Sequence, residues 1–206
     1  MLTEEVLAKL QYFNEKKFSI HNDNVILKEN KKDGKVVLEC HLNQDTLVFH
    51  EPEKNTLPYL DEAKKNAKAS PDKFLFEFHG GNECDLHIME FKKTINTWSI
   101  KKSKIQMIMG IYNARAVAGF LNIAIRNIFV YSAYRNDQIE SIEDDKSINI
   151  RAAISNKEDQ KLIRDWKRGV CVLKLDNKEK IFKHEKIQLD QNGTGNCTLE
   201  SNKNNF

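Results

Sequence analysis

Asp72, Glu90 and Lys92 are the residues whose types and spacing could do chemistry together. Phe74, Phe76 and Phe78 alternate with other residues, as in a strand with one apolar face. After the turn residues Gly80-Gly81-Asn82, Leu86, Ile88, Glu90 and Lys92 alternate in the same way. Such a hairpin can pair in two parities, and a slip of one residue turns every side chain to the other face. Burial favours the parity that sets the three phenylalanines beside Leu86 and Ile88. That parity gathers Asp72, Glu90 and Lys92 at one end of one face, with Asp72 and Glu90 about 5 Å apart at Cβ. Two carboxylates so close repel unless a cation neutralises them. Mg²⁺, a hard ion, takes one or two carboxylates and keeps water and substrate phosphate as its other ligands. Such an ion polarises a phosphoryl oxygen and activates water, while a nearby ammonium stabilises charge on phosphorus. The expected chemistry is phosphodiester hydrolysis with Mg²⁺.

A second polar set competes with this one. Glu77, Asp85 and His87 fall on the opposite face under the favoured parity, in solvated or hydrogen-bonded roles. A shifted register would promote Asp85 to metal ligand in place of Asp72, and the residues alone leave both registers open. There are also purely structural readings. Ser70-Pro71-Asp72 is a common turn sequence, and Glu90 with Lys92 could be a charge pair that guards an edge strand.

Pro71-Asp72 followed by Glu90-Phe91-Lys92 resembles the PD-(D/E)xK signature of the restriction-endonuclease-like nuclease superfamily. The resemblance covers residues 57–134, where a helix, antiparallel strands, a long helix and a further strand are expected in that order. It implies that Asp72, Glu90 and the main-chain carbonyl of Phe91 bind Mg²⁺ or Mn²⁺, and that Lys92 is the catalytic lysine. Gln106 and Tyr112 resemble the Gln and Tyr that some exonuclease-like branches place against the site. Some branches add a Glu from the first helix, for which Glu5 and Glu62 are both candidates. The implied substrate is DNA, in restriction, repair or defence, and a homodimer would suit cutting of both strands. The alternative is a catalytically inactive protein of the same fold that binds nucleic acid or a partner protein. A third reading makes the acidic stretch Glu140–Asp145 a protein-contact surface.

Other elements must position these residues. Thr3 can cap a helix over Thr3–Lys17, in which Val6, Leu7, Leu10 and Phe13 recur at helical spacing. Strands are expected over Asn24–Lys28, Lys35–Leu42 and Thr46–His50, and a short helix over Leu57–Lys68. Asn96–Asn122 reads as a long helix that Gly110 weakens by about 1 kcal/mol. Ile125–Tyr134 reads as a buried strand, Ser155–Trp166 as a helix, and Gly169–Leu175 with Lys180–Leu189 as a hairpin around Asp176-Asn177. The fold class expected is α/β (α+β): a central mixed β-sheet flanked by helices, with strands added before and after the restriction-endonuclease-like core. Residues 1–190 form one domain, and 191–206 a loose polar tail.

Composition bounds the partners. The chain has 206 residues, 40% hydrophobic and 31% charged, as expected of a globular protein able to bury a core. Its net charge of +3 permits nucleic-acid binding without requiring it. Lys101, Lys102, Lys104, Arg126 and Arg135 are the candidate phosphate contacts, and for each a solvated or ion-paired role is the plainer alternative. Trp166 sits among basic residues, but a Trp at helical spacing is more often core; His184 among its lysine neighbours reads as a solvated strand face. Cys40, Cys84, Cys171 and Cys197 form no CxxC pair and read as reduced thiols. No apolar run approaches the ~18 residues of a membrane span, and the first residues do not read as a signal peptide. A cytoplasmic location is expected.

Overall fold

Ten strands make up the largest part of the described structure, and one long helix closes over one face of the larger sheet. A computed structural model describes residues 2–31, 34–50, 60, 61, 63, 64, 66–139 and 157–199. The described elements are α1 (Glu4–Leu10), a 3₁₀ turn (Glu15–Lys17), β1 (Phe18–His21), β2 (Asn24–Lys31), β3 (Gly34–His41), β4 (Thr46–His50), β5 (Lys73–Gly80) and β6 (Glu83–Ile95). They continue with α2 (Thr97–Leu121), β7 (Ala124–Asp137), α3 (Lys157–Lys167), β8 (Val170–Leu175), β9 (Lys178–Gln188) and β10 (Thr194–Thr198).

A central mixed sheet of seven strands runs in the order β1-β4-β5-β6-β7-β9-β8. Strands β4, β5 and β6 are antiparallel neighbours, whereas β6 and β7 are parallel. Parallel neighbours need a crossover, and α2 supplies it. Asparagine bounds α2 at both ends. The Asn96 side chain accepts from the Ser99 N–H in a capping box, and Asn122 ends the helix in the left-handed region, φ 58°.

The sheet buries both faces. On one, Phe74, Phe76, Phe78, Leu86 and Ile88 pack with Met107, Ile111 and Ala114 of α2, with Val6 and Leu10 of α1, and with Leu173 of β8. On the other, Leu75, Met89, Phe129 and Tyr131 pack against Val25, Leu27, Val36 and Leu38. Those four belong to a second, three-stranded sheet, β10-β3-β2. The β5–β6 register pairs Phe74 with Ile88 and Phe76 with Leu86, the parity that burial favours.

Several local expectations are corrected. The first helix stops at Leu10 rather than Lys17, and β1 follows, unforeseen. In the span expected to form a helix at Leu57–Lys68, the described residues form turns, with Asn66 at φ 69°. A residue held at positive φ cannot continue a right-handed helix. Residues 194–198 are not loose: β10 pairs in parallel with β3. His184 is 7% exposed rather than solvated, and Trp166 is core at 2%. Glu62 and the acidic stretch 140–145 lie outside the described residues. Among the described residues no helix is long and apolar enough to cross a membrane.

Candidate active site at the end of β5 and β6

The register places the acidic residues. Lys73 pairs with Met89 at the start of β5, and the same register continued past the strand would set Asp72 across from Glu90 and Pro71 across from Phe91. Proline has no N–H to donate to a sheet ladder. The Asp72 side chain takes over: its Oδ2 accepts the Phe91 N–H at 2.7 Å. In an extended strand the N–H and C=O of one residue face the same neighbour. The Phe91 carbonyl therefore faces the side where Pro71 offers no donor.

Glu90 and Lys92 follow on the face that carries Leu86 and Ile88, covered by α2. The Glu90 side chain is fully buried and that of Lys92 is 15% exposed. The Lys92 ammonium makes a short contact with Glu90 Oε1 and donates to Gln106 Oε1 at 3.2 Å. Gln106 in turn donates through Nε2 to the Ser70 carbonyl at 3.0 Å. One glutamine thus ties the lysine, the helix and the residue before Pro71-Asp72. The helix lies close here. A Cβ on Gly110, one turn beyond Gln106, would come within 2.5 Å of Pro71 Cγ. Gly110 gives up helix propensity to let the proline in.

The other expected residues divide. Asp85 does not join this group. It lies on the opposite face, five residues back along β6, roughly 17 Å away. There its Oδ2 meets His79 Nε2 at 2.7 Å, and its Oδ1 accepts from Asn127 at 2.8 Å. Tyr112 turns away: its hydroxyl accepts the Asp176 N–H at 3.0 Å, at the β8–β9 turn. It is six residues past Gln106, about 240° around the helix. Glu5 binds Lys9 at 2.8 Å and accepts from Asn122 at 3.1 Å and Asn82 at 3.4 Å, beside the β5–β6 turn and far from Lys92.

Among the basic residues, Lys101 pairs with Asp159 at 2.7 Å, and that bond holds its ammonium pKa above the ordinary range. Lys102 lies over the Trp98 ring at 5.4 Å, and Lys104 faces the interior near His184 and Trp166. Arg126 pairs with Glu83 at 3.4 Å, at the turn end of the sheet. Arg135 donates to the Lys35 carbonyl of the small sheet. Of these five, Lys102 lies one turn from Gln106 on the same ridge of α2, and the exposed Trp98 lies one turn beyond. Trp98 carried no signal in one sequence, because an exposed and a buried aromatic look alike on a helix whose apolar residues surround it.

His184 is a buried group outside this cluster. Its Nε2 shares a hydrogen bond of 2.9 Å with Ser132 Oγ, and Trp166 stands edge-on to its ring. Burial, then repulsion from Lys186 and Lys104, pushes its imidazole down to about 3. Compared with known proteins, the chain matches no protein-family model, no curated protein and no solved structure.

Proposed function

We propose that the chain is a metal-dependent nuclease that hydrolyses phosphodiester bonds in DNA, with its site at Asp72, Glu90 and Lys92. The carrying observation is the bond from the Phe91 N–H to Asp72 Oδ2, 2.7 Å, which ties the Asp72 carboxylate to the residue between Glu90 and Lys92. The element order supports the finer fold reading. Antiparallel β4, β5 and β6, then α2, then β7 parallel to β6, resemble a restriction-endonuclease-like core.

The residues fit a hard divalent cation. Asp72, Glu90 and the Phe91 carbonyl would be its oxygen donors. When bound, Mg²⁺ or Mn²⁺ supplies Lewis acidity toward a phosphoryl oxygen and an activated water. The chain's own residues do the rest. Lys92 presents its ammonium to the charge that develops on phosphorus, and Gln106 keeps that ammonium from swinging into solvent. Trp98 and Lys102 offer an exposed ring and a cation beside the site, where a base and its phosphate can lie.

Cleavage of plasmid DNA in Mg²⁺ or Mn²⁺ tests the reading. The wild-type chain should cut, chelator should stop it, and Asp72→Ala and Lys92→Ala should each lower the rate at least ~100-fold. Cleavage unchanged in both variants sinks the assignment. Binding that weakens with salt, without any cleavage, would instead favour an inactive nucleic-acid-binding protein of this fold.

A further inference from the structure

We propose a second metal site, for a divalent transition ion of the zinc class, formed by Glu77, His79 and Asp85 beneath the β5–β6 turn. Each of the three offers a ligand atom, and these atoms lie within 4.8 Å of one another. Glu77 and Asp85 face each other in the register, and both are buried, at 0% and 1% exposure. His79 falls in the irregular step between Phe78 and Gly80, where the register slips. A bulge re-aims a side chain, and here it turns the imidazole to the two acids.

The second observation concerns the outer contacts. Each carboxylate has one oxygen held by an N–H: Asp85 Oδ1 by Asn127 at 2.8 Å and Glu77 Oε1 by the Asn43 main chain at 3.3 Å. The remaining oxygens lie beside imidazoles, Asp85 Oδ2 beside that of His79 and Glu77 Oε2 beside that of His87. Glu77 Oε2 makes no hydrogen bond among the described residues, although it is fully buried. His87 Nε2 stands 3.3 Å from it, outside hydrogen-bond geometry, while His87 Nδ1 meets the Tyr131 hydroxyl at 3.0 Å. Leaving such an acceptor unsatisfied costs about 1–3 kcal/mol, and more when it is charged. A cation that takes Glu77 Oε2 and Asp85 Oδ2 removes that cost, and it also offsets two negative charges buried between two sheets.

One imidazole nitrogen with two carboxylate oxygens selects zinc-like ions over magnesium. Ligand atoms on a tetrahedral zinc stand about 3.3 Å apart, so His79 and Asp85 need to separate slightly from their 2.7 Å contact. Asn127 is the positioning residue, because it orients Asp85 from the neighbouring strand β7. The ion would pin the β5–β6 turn, on the opposite face and at the opposite end of β6 from Lys92.

The experiment counts bound zinc on the full chain after chelation and desalting, titrating with zinc alone in excess magnesium. Magnesium occupies all-oxygen sites and spares one with an imidazole. The wild-type chain should hold one zinc, and cobalt in its place should give visible absorption bands. Asp85→Asn and His79→Ala should weaken zinc binding on the order of 100-fold, and Asn127→Ala by roughly 10- to 100-fold. His79 is partly exposed at a turn, so His79→Ala and the bulkier His79→Gln should keep the wild-type circular dichroism. Lys92→Ala should bind zinc as the wild type does, which separates this site from the proposed nuclease site. The proposal is overturned if the wild-type chain retains no zinc, or if His79→Ala binds it as tightly as the wild type.

Discussion

Lys92 reaches two partners on different elements, Glu90 on its own strand and Gln106 on α2. A lysine stem is flexible, and a catalytic ammonium displaced by about 1 Å can lose roughly 100-fold in rate. Gln106→Ala should therefore lower the DNA cleavage rate about 10- to 100-fold while DNA binding, measured separately, stays near wild type; equal losses in both would mean a structural role. His184 gives a second prediction at this scale. Its folded pKa, about 3, lies below the ordinary 6.5, so between those values the unfolded chain holds the proton more tightly. The stability that comes from keeping it neutral is complete above about pH 6.5 and is lost as pH falls toward 3, by about 1.4 kcal/mol per unit. Urea midpoints between about pH 6 and 4 should fall less steeply in His184→Gln than in wild type; identical slopes would refute this. None of it was legible from the residues Lys183-His184-Glu185-Lys186, because a His among charges reads as solvated. Burial there is set by Trp166 and Ser132, from other elements.

α2 was legible almost to the residue, and Asn96 and Asn122 cap it at its two ends. What the helix touches was not. Gly110 reads as a weak point in an isolated helix, yet the structure makes it the place where Pro71 enters. Alanine at that position gains about 1 kcal/mol in propensity and puts a methyl group 2.5 Å from the proline ring. Overpacking of this kind costs about 1–3 kcal/mol, and the Asp72–Phe91 hydrogen bond leaves Pro71 little room to retreat. Gly110→Ala should lower stability by about 1–2 kcal/mol in urea unfolding and reduce cleavage as well. A stabilised variant would show that the proline yields easily. The strand pair β5–β6 was legible too, because burial favoured the parity that sets the three phenylalanines beside Leu86 and Ile88. Asp85 falls on the opposite face, as that parity expects, whereas the place of Tyr112 was not legible. Tyr112 depends on the rotation of the helix past Gln106, which turns its hydroxyl to Asp176.

At the scale of the whole molecule, the described residues form two sheets face to face, with helices on the outer side of the larger one. Strands β2 and β3 of the smaller sheet were expected, but β10 escaped sequence reading because Thr194-Gly195-Asn196-Cys197-Thr198 has no apolar alternation. Main-chain pairing with β3 holds it, together with Leu199, which is 1% exposed under the small sheet and whose carbonyl accepts from Asn43 at 2.8 Å. Leu199→Ala should cost about 2–5 kcal/mol in urea unfolding if β10 is part of the cooperative unit. A change within about 0.5 kcal/mol would mean that it docks independently. The pairing of β10 with β3 also bears on synthesis. The ribosome releases Gly34–His41 long before it reaches Thr194, so β3 waits in the nascent chain with one row of amides and carbonyls open. Until the last strand emerges, a neighbouring ribosome's copy of the same segment can take its place, and crowded translation is where this fold is most exposed to tangling.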